Sequence, residues 1–342
     1  MAHAPSDPHA LDLPRLQAWL QATLPGFGDI QSCEKFAGGQ SNPTYRLQTR
    51  EAQYVLRRKP PGQLLKSAHA VDREYRVMQA LAGSGVPVPR VHALCEDEAV
   101  IGSPFFLMAF VDGRIFWDGA LPGQDPAFRA RAYEAMVEVL AALHRVNVDA
   151  AGLADYGRPG NYFARQVARW SEQYRASETG PNPAMEALID WLPRHLPADD
   201  GRVALIHGDY RIDNLVFHPA EPRVLALLDW ELSTLGHPWA DLAYQCMQLR
   251  LPHDAAIPGL GGLDRAALGI PSEEAHVRRY CELTGVDAIP DWNFYLVFSF
   301  FRLAAILQGV RKRALAGNAS SRQATAYGEL ARPVSEMALP LL

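Results

Sequence analysis

The sequence is poor in cysteine. Its 342 residues include four, Cys33, Cys95, Cys246 and Cys281, which lie far apart and form no CxxC pair. Such spacing favours neither a zinc site nor a disulfide framework, and it is typical of proteins in a reducing compartment. The first 13 residues also lack the apolar run of a secretory signal peptide. We therefore expect a cytoplasmic protein.

An excess of positive charge is also missing, because the net charge is -5 and the pI is about 6.1. Nucleic-acid surfaces need clustered Lys and Arg, so we expect no nucleic-acid partner. No stretch approaches the roughly 20 apolar residues of a membrane span. The most apolar segment, 291–315, contains Arg302, and it predicts a buried core helix and no membrane partner.

The remaining pattern is that of a globular protein with one large domain or two lobes, since 48% of the residues are hydrophobic and 21% are charged. Leucines at helical spacing predict a helix over 12–24, and β-rich runs around a Gly-rich turn predict a small antiparallel sheet with one main helix up to residue 111. From residue 112 onward the spacing of the apolar residues predicts mostly helices. Short predicted strands at 203–206 and 224–228 interrupt them.

The stretch LIHGDYRIDNLVFHP, residues 205–219, places polar side chains between apolar ones, and LDWE follows at 228–231. Asp209 and Asn214 are five positions apart, and Asp229 comes after a strand. Carboxylate and amide oxygens suit Mg²⁺ bound together with phosphates. If Asp209 stays off the metal, it can accept a proton from a substrate hydroxyl, as in phosphoryl transfer by kinases.

Four motifs occur in order, GGQSNPTY, YVLRRKPPG, HGDYRIDNLVFHP and LDWELSTLGHPWADLAY, between about residues 30 and 250. Together they resemble the aminoglycoside phosphotransferase and choline kinase-like branch of the protein-kinase-like fold, which carries HGD where protein kinases carry HRD. Within it, they are most similar to the kinase-like domain fused to acyl-CoA dehydrogenases and to its stand-alone bacterial relatives. The resemblance implies a bilobal α+β fold, with a β-rich nucleotide-binding N-lobe at 1–111 and a mainly helical C-lobe at 112–342.

The resemblance also implies residue roles. Asp209 would be the catalytic base, and Asn214 and Asp229 would bind Mg²⁺. The residues that would bind ATP are the phosphate loop Gly38, Gly39, Gln40, Ser41 and Asn42, the carboxylate Glu74, and Met108, Ala109 and Val111 around the adenine. Each assignment has a physical basis; for example, glycines allow backbone N–H groups to approach phosphate closely.

The phosphate-binding cation departs from the family pattern, because Arg57 stands where relatives often have Lys. Strand alternation places Val55, Arg57 and Lys59 on one face, so Val55 could touch the adenine while Arg57 reaches the phosphates and Glu74. Lys59 is the competing cation. Trp230 and Glu231 follow Asp229 in place of Phe-Gly, so switching of the protein-kinase type is not expected.

Structural roles compete with chemical ones for the other polar residues. We expect His207 and Asp241 to hold the loop in place. His218 and His237 could form a metallohydrolase site with Asp209 and Asp229, but no HxH or HExxH spacing supports it.

The predicted activity is Mg²⁺-dependent transfer of the γ-phosphoryl of ATP to a small-molecule hydroxyl, in the cleft between the lobes. Residues 271–342 hold seven acidic and eight basic residues, a balance that disfavours polycationic aminoglycosides. The resemblance favours a hydroxy-acyl acceptor, with an aminoglycoside or other small alcohol as the alternative. A catalytically silent nucleotide-binding module is a further alternative. The residues do not indicate the oligomeric state or a choice between ATP and GTP.

Overall fold

The computed structural model describes residues 11–36, 42–60, 70–317 and 324–342. The chain divides into a first unit, Met1–Asp112 with Ala226–Glu231, and a second unit, Gly113–Leu225 with Leu232–Leu342.

The first unit is built on an antiparallel sheet. Its elements are α1 (Leu13–Thr23), β1 (Ser32–Lys35), β2 (Thr44–Gln48), β3 (Gln53–Arg58), α2 (Val71–Leu81), β4 (Val91–Cys95), α3 (Glu98–Ile101) and β5 (Phe105–Ala109). The strand order is β1-β2-β3-β5-β4, and neighbouring strands are antiparallel. The helix and the small sheet that the sequence predicts in this region are therefore present.

Strand alternation gives this sheet two different faces. Leu47, Leu56 and Leu107 point to one face, where they form a core with Leu16 and Leu20 of α1. Burial of several leucines against each other is the main force that holds α1 on the sheet. The other face carries the side chains that alternate with these, and α2 packs against it: the rings of Tyr75 and Phe106 lie 6.3 Å apart.

The second unit is mainly helical. Its elements are β6 (Arg114–Ile115), α4 (Pro126–His144), α5 (Tyr162–Ser177), α6 (Pro183–Arg194), β7 (Ala204–Ile206), β8 (Leu215–Phe217), the first half of β9 (Val224–Leu227), β10 (Thr234–Gly236), α7 (Trp239–Arg250), α8 (Arg265–Leu268), α9 (Glu273–Thr284), α10 (Trp292–Leu315), α11 (Ala324–Glu329) and α12 (Ala331–Glu336). Strand β7 pairs with β10, and β8 lies between β6 and β9. The sequence predicts β7 and β9 but misses β6, β8 and β10, because two or three residues are too few to show alternation.

Helix α10 is the central helix of the second unit. By length and composition it could cross a membrane, yet 78% of its most apolar window is buried within the protein. It packs against α5 and α7. The prediction of a buried core helix is confirmed, and Arg302 is buried within it.

Candidate active site

The segment between β7 and β8 is a loop that is fixed by one buried carboxylate. The Oδ2 of Asp241, in the first turn of α7, accepts the backbone N–H of His207 at 2.6 Å. The Oδ1 of the same residue accepts the backbone N–H of Gly208 at 2.8 Å. A carboxylate that accepts two backbone N–H groups forms charge-assisted hydrogen bonds, which are stronger than neutral ones. Asp241 therefore sets the position of the residue that follows, Asp209.

Asp241 remains ionised because its surroundings offset its burial. Burial raises the pKa of its carboxyl, but His144, His207 and the loop N–H groups outweigh this and hold the pKa below its ordinary value. The Nε2 of His144 lies 3.4 Å from Asp241, and its Nδ1 lies 2.7 Å from the hydroxyl of Tyr280. The buried chain from Tyr280 through His144 to Asp241 therefore supports the loop from behind.

Glycine is required at position 208 for two reasons. Its φ is +84°, which side chains rarely adopt, and an added Cβ would lie 2.5 Å from the carbonyl oxygen of Leu232. On the other side, the carbonyl oxygen of Gly208 accepts a hydrogen bond from Arg302 of α10 at 2.6 Å. The loop therefore packs directly against backbone and cannot shift without breaking these contacts.

Asp209 and Asn214 are brought together by the same loop. The Nδ2 of Asn214 donates to the backbone oxygen of Asp209 at 2.8 Å and lies 3.4 Å from its Oδ2. Because the amide nitrogen faces Asp209, the amide oxygen of Asn214 is its remaining acceptor. The Asp209 side chain is 24% exposed, and the Nε of Arg211 lies 3.6 Å from its Oδ1. A carboxylate placed in this way can accept a proton.

Tyr244 is a neighbour of Asp209 that the sequence reasoning missed. Its buried hydroxyl donates to the Asp209 carboxylate, and burial together with that carboxylate raises the pKa of Tyr244. In the sequence Arg302 is only a charge inside an apolar helix; in the structure its guanidinium lies 5.2 Å from the centre of the Tyr244 ring. A lone Arg in an apolar helix signals a buried partner, but the sequence does not say which one.

In the first unit, Arg57 is held between acidic side chains. Its Nε lies 3.1 Å from Oε1 and 3.0 Å from Oε2 of Glu74, and its Nη2 lies 2.5 Å from Oδ1 of Asp229. Glu231 is a more distant partner, at 3.8 Å. Burial lowers the pKa of Arg57, but the three carboxylates outweigh it and raise the pKa above the ordinary value. The predicted cation, its orienting carboxylate and one predicted metal ligand therefore form one cluster.

Glu74 is the buried member of this cluster. Burial raises the pKa of Glu74, and the nearby carboxylates of Asp229 and Glu231 also raise it. Arg57 and Asn42 lower the pKa, but only in part, so that it lies at about 7. The Nδ2 of Asn42 donates to Oε1 of Glu74 at 2.8 Å. Asn42, the last residue of the predicted phosphate loop, therefore helps to fix the position of the Glu74 side chain. The other residues of that loop, 38–41, lie outside the described residues.

The predicted adenine-binding residues lie on β3, β5 and the segment that follows. Val55 pairs with Met108 in register, and both are buried. The N–H of Ala109 donates to the carbonyl oxygen of Arg90 at 2.8 Å, so only the carbonyl oxygen of Ala109 could contact an adenine. Among the described residues, the N–H of Val111 donates to no carbonyl oxygen. A backbone N–H without a carbonyl partner can bind the edge of a base.

The structure separates the three neighbouring cations of YVLRRK. Arg58 points to the face opposite that of Arg57 and donates through its Nε to Ser103 at 2.9 Å. Lys59 follows the end of β3, and its backbone N–H donates to Pro104. Of these three, Arg57 is the one that contacts Glu74.

The histidines of the metallohydrolase alternative have other roles. The Nδ1 of His218 accepts the N–H groups of Ala220 and Glu221, as in a turn. His237 lies 3.3 Å from Asp200. Across the described ranges, no group of three or more His, Cys, Asp or Glu side chains is arranged to hold a metal ion.

Comparisons with known proteins identify the family and the fold. Residues 32–279 match the model of the APH family, described as the phosphotransferase enzyme family. A crystal structure from Ralstonia eutropha, named as a candidate aminoglycoside phosphotransferase, is 52% identical with a TM-score of 0.89 and covers 97% of this chain and 98% of that one. The aminoglycoside phosphotransferase APH(4)-Ia, solved with AMP-PNP and hygromycin B, has a TM-score of 0.63 at 14% identity over 95% and 98% of the chains, a likeness of fold alone.

Longer proteins are also similar. Acyl-CoA dehydrogenase family member 10 of Mus musculus is 52% identical over 89% of this chain and 28% of its own length. Acyl-CoA dehydrogenase family member 11 of Homo sapiens is 44% identical over 97% of this chain and 43% of its own length. The chain thus spans less than half of these relatives. The predicted resemblance and the bilobal α+β, protein-kinase-like fold are confirmed.

Proposed function

The chain belongs to the phosphotransferase enzyme family, and from this premise we propose that it transfers the γ-phosphoryl group of ATP to a hydroxyl group of a small hydroxy-acyl compound. The observation that carries the proposal is the fixed loop of the second unit. Asp241 and Asn214 hold the backbone around Asp209, and they leave its carboxylate partly exposed. Such a group can align and deprotonate an acceptor hydroxyl.

In the proposed mechanism Asp209 accepts the proton of the acceptor hydroxyl while the oxygen of that hydroxyl attacks the γ-phosphorus. The bond between the γ-phosphorus and the β–γ bridging oxygen breaks, and ADP leaves. The hydroxyl of Tyr244 fixes the orientation of the carboxylate. Positioning of this kind supplies much of the acceleration in phosphoryl transfer, where the protein does little covalent chemistry. In the first unit, the guanidinium of Arg57, oriented by Glu74, would neutralise charge on the ATP phosphates.

The residues present fit Mg²⁺ by the chemistry of their donors. The amide oxygen of Asn214 is the end of its side chain that faces away from Asp209, and the carboxylate of Asp229 supplies oxygens as well. Both are hard oxygen ligands, which Mg²⁺ prefers. When bound, Mg²⁺ would offset the negative charge that develops on the phosphates. Asp229 adopts a φ of +65°, and its contact with Arg57 supports that conformation.

Two observations favour a hydroxy-acyl acceptor. The names of the longer relatives associate similar chains with acyl-CoA dehydrogenases, and the charge of residues 271–342 is nearly balanced, which gives no general attraction to a polycation. The alternative acceptor is an aminoglycoside, which the name of the 52% identical protein from Ralstonia eutropha supports.

The test is an ADP-release assay with ATP and Mg²⁺ over a panel of hydroxy acids, their CoA thioesters and aminoglycosides. We expect turnover of the hydroxy-acyl compounds and a loss of at least about a hundredfold in Asp209→Asn, because the general base is removed. Asp190→Asn is the matched control, since it makes the same change of charge at an exposed residue of α6, where Asp190 pairs with Arg194, and it should retain most of the activity. Robust kanamycin turnover without hydroxy-acyl turnover would reverse the choice of acceptor.

The catalytically silent module is tested in the same experiment. Thermal stabilisation by ATP and Mg²⁺ without turnover of any acceptor would support it. Equal rates in the wild type and in Asp209→Asn would refute the role of Asp209.

A further inference from the structure

A small pocket lies in the second unit beside the 207–214 loop. It has a volume of about 80 Å³, and its lining includes Trp117, Tyr133, Arg211, Gln245 and Ile257. Arg211 connects the pocket to the predicted chemistry, because its Nε is 3.6 Å from the carboxylate of Asp209. A molecule that contacts Arg211 in this pocket would therefore be one side chain away from the proposed base.

One side chain of the pocket has an unused hydrogen-bond donor. Gln245 of α7 is only 2% exposed. Its Nε2 has no hydrogen-bond partner in the part of the chain that the structure describes. Buried polar atoms without a partner are rare in folded proteins, and each calls for an explanation such as a ligand or an ordered water.

The orientation of this amide is fixed from behind by His276. The Nε2 of His276, on α9, lies 3.2 Å from the Oε1 of Gln245. Burial lowers the pKa of His276 to about 4, so the ring is neutral at physiological pH. A neutral ring that donates from Nε2 to Oε1 leaves the Nε2 of Gln245 as a donor.

We propose that the Nε2 of Gln245 donates a hydrogen bond to the carbonyl oxygen of the phosphoryl acceptor and so selects acceptors that carry an acyl group. The inference rests on the proposed function, and it adds the residue that recognises the acyl part. An N–H donor matches a carbonyl oxygen and offers nothing to an ammonium group, which has donors only. A site with a fixed donor rejects analogues that lack the matching acceptor atom.

The size and walls of the pocket suit a short acyl segment. Its volume corresponds to roughly five to eight water-sized sites, which is enough for a short acyl segment. Apolar side chains, among them Leu249, Ile257 and Leu260, line it beside the amide. The polar lining residues are Arg211, Asp213, Gln245 and Gln248, and apolar walls with a few polar groups are typical of small-molecule sites.

The test compares two sets of acceptors with the full chain. One set is the hydroxypentanamides with the hydroxyl at each carbon in turn, and the other is the corresponding pentanols, which lack the carbonyl. Phosphorylation is followed by ADP release, and binding is followed by calorimetric titration. Gln245→Met keeps the length of the side chain and removes the donor. We expect its KM and Kd for the hydroxyamides to rise about tenfold, the usual effect of one hydrogen bond, and those for the pentanols to stay unchanged.

Gln245→Glu is the second variant, because it keeps the shape and replaces the donor by a carboxylate that repels a carbonyl oxygen. We expect it to weaken hydroxyamide binding at least as much as Gln245→Met. Gln308→Met is the matched control, since Gln308 is also a buried glutamine, and its Nε2 donates to Ser177 at 2.8 Å, away from the pocket. It should lower the melting temperature without changing the KM of either set.

An equal rise in KM for both sets, or no change for either, would overturn the role of Gln245. The proposed function can fail separately. If the wild type phosphorylates none of the compounds, the transferase proposal fails for this acceptor class. The titrations still decide whether Gln245 distinguishes a carbonyl compound from an alcohol.

Discussion

The carboxylate of Asp241 accepts the backbone N–H of His207 at 2.6 Å, although the two residues are 34 positions apart in the chain. The same carboxylate accepts the next N–H, that of Gly208, at 2.8 Å. These bonds fix the backbone immediately before Asp209. The placement of the proposed base therefore depends on a residue that does not itself take part in the chemistry.

Replacing Asp241 should disturb both stability and turnover. In Asp241→Asn the buried acceptor loses its charge, and the amide NH₂ competes with the loop N–H groups. Charged hydrogen bonds contribute about 1.5–3 kcal/mol each, so we expect a loss of at least about 2 kcal/mol in the free energy of unfolding, with a lower kcat. Urea unfolding and the ADP-release assay measure the two effects.

Asp125→Asn is the control for Asp241→Asn. Asp125 caps α4 by accepting the N–H of Phe128 at 2.7 Å, and Asn is an equally good cap. Its unfolding free energy and kcat should stay close to those of the wild type. If both variants behave alike, Asp241 has no special part in the loop.

A glycine pair tests the tight packing of the loop. Gly208→Ala introduces a Cβ that would lie 2.5 Å from the carbonyl oxygen of Leu232. Gly123→Ala places alanine at a similar φ of +79°, but no atom lies within 4 Å of its Cβ. Both variants incur the cost of left-handed backbone, about 1–2 kcal/mol. Gly208→Ala should be clearly less stable in thermal unfolding and should lose activity. Equal melting temperatures would contradict the clash.

The Arg57 cluster is tested by a double-mutant cycle. Arg57→Met removes the cation that lowers the pKa of Glu74, so the buried carboxyl takes up a proton and stays without its partner, and we expect a loss of about 3 kcal/mol or more. Adding Glu74→Gln supplies a neutral side chain that needs no proton uptake and should recover part of that loss. The unfolding free energies of the four proteins give the coupling energy. ATP affinity, measured by titration, should fall in both variants that lack Arg57.

Arg15→Met provides the reference for this cycle, because Arg15 pairs with Asp12 at the surface, at 3.4 Å and with a 70% exposed side chain. Exposed pairs contribute under about 1 kcal/mol. A coupling energy near zero for Arg57 and Glu74 would show that the cluster does not act as a unit.

The pH dependence of stability should report on His276. Its pKa falls from 6.5 to about 4 in the folded protein, so between these values the unfolded chain binds more protons than the folded chain. The contribution of neutral His276 to the free energy of unfolding is therefore fully present above pH 6.5, and it is lost as the pH falls toward 4. The shift in pKa corresponds to a loss of at most about 3 kcal/mol in the free energy of unfolding. His276→Gln cannot titrate, so its unfolding free energy should decrease less between pH 7 and pH 5. Parallel curves for the two proteins would contradict this assignment.

Several features could be predicted from the sequence because each depends on residues close together in the chain. The helix over 12–24, the small sheet and the buried helix 291–315 follow from local periodicity. The 207–214 motif also brings Asp209 and Asn214 together within one loop, where a spacing of five residues is enough. By contrast, the contact of Tyr244 with Asp209 joins separate elements, and no local pattern indicates it.

The sequence by itself determined the phosphotransferase family, since the motifs that carry the resemblance lie in order in short segments, which also hold the predicted base and the predicted metal ligands. Only the tertiary structure decided which groups support that chemistry. Asp241 binds the loop, Arg302 binds its reverse side, and His276 orients Gln245. The physical reason is that buried charges and amides need partners, and in a folded chain those partners come from helices that are distant in sequence.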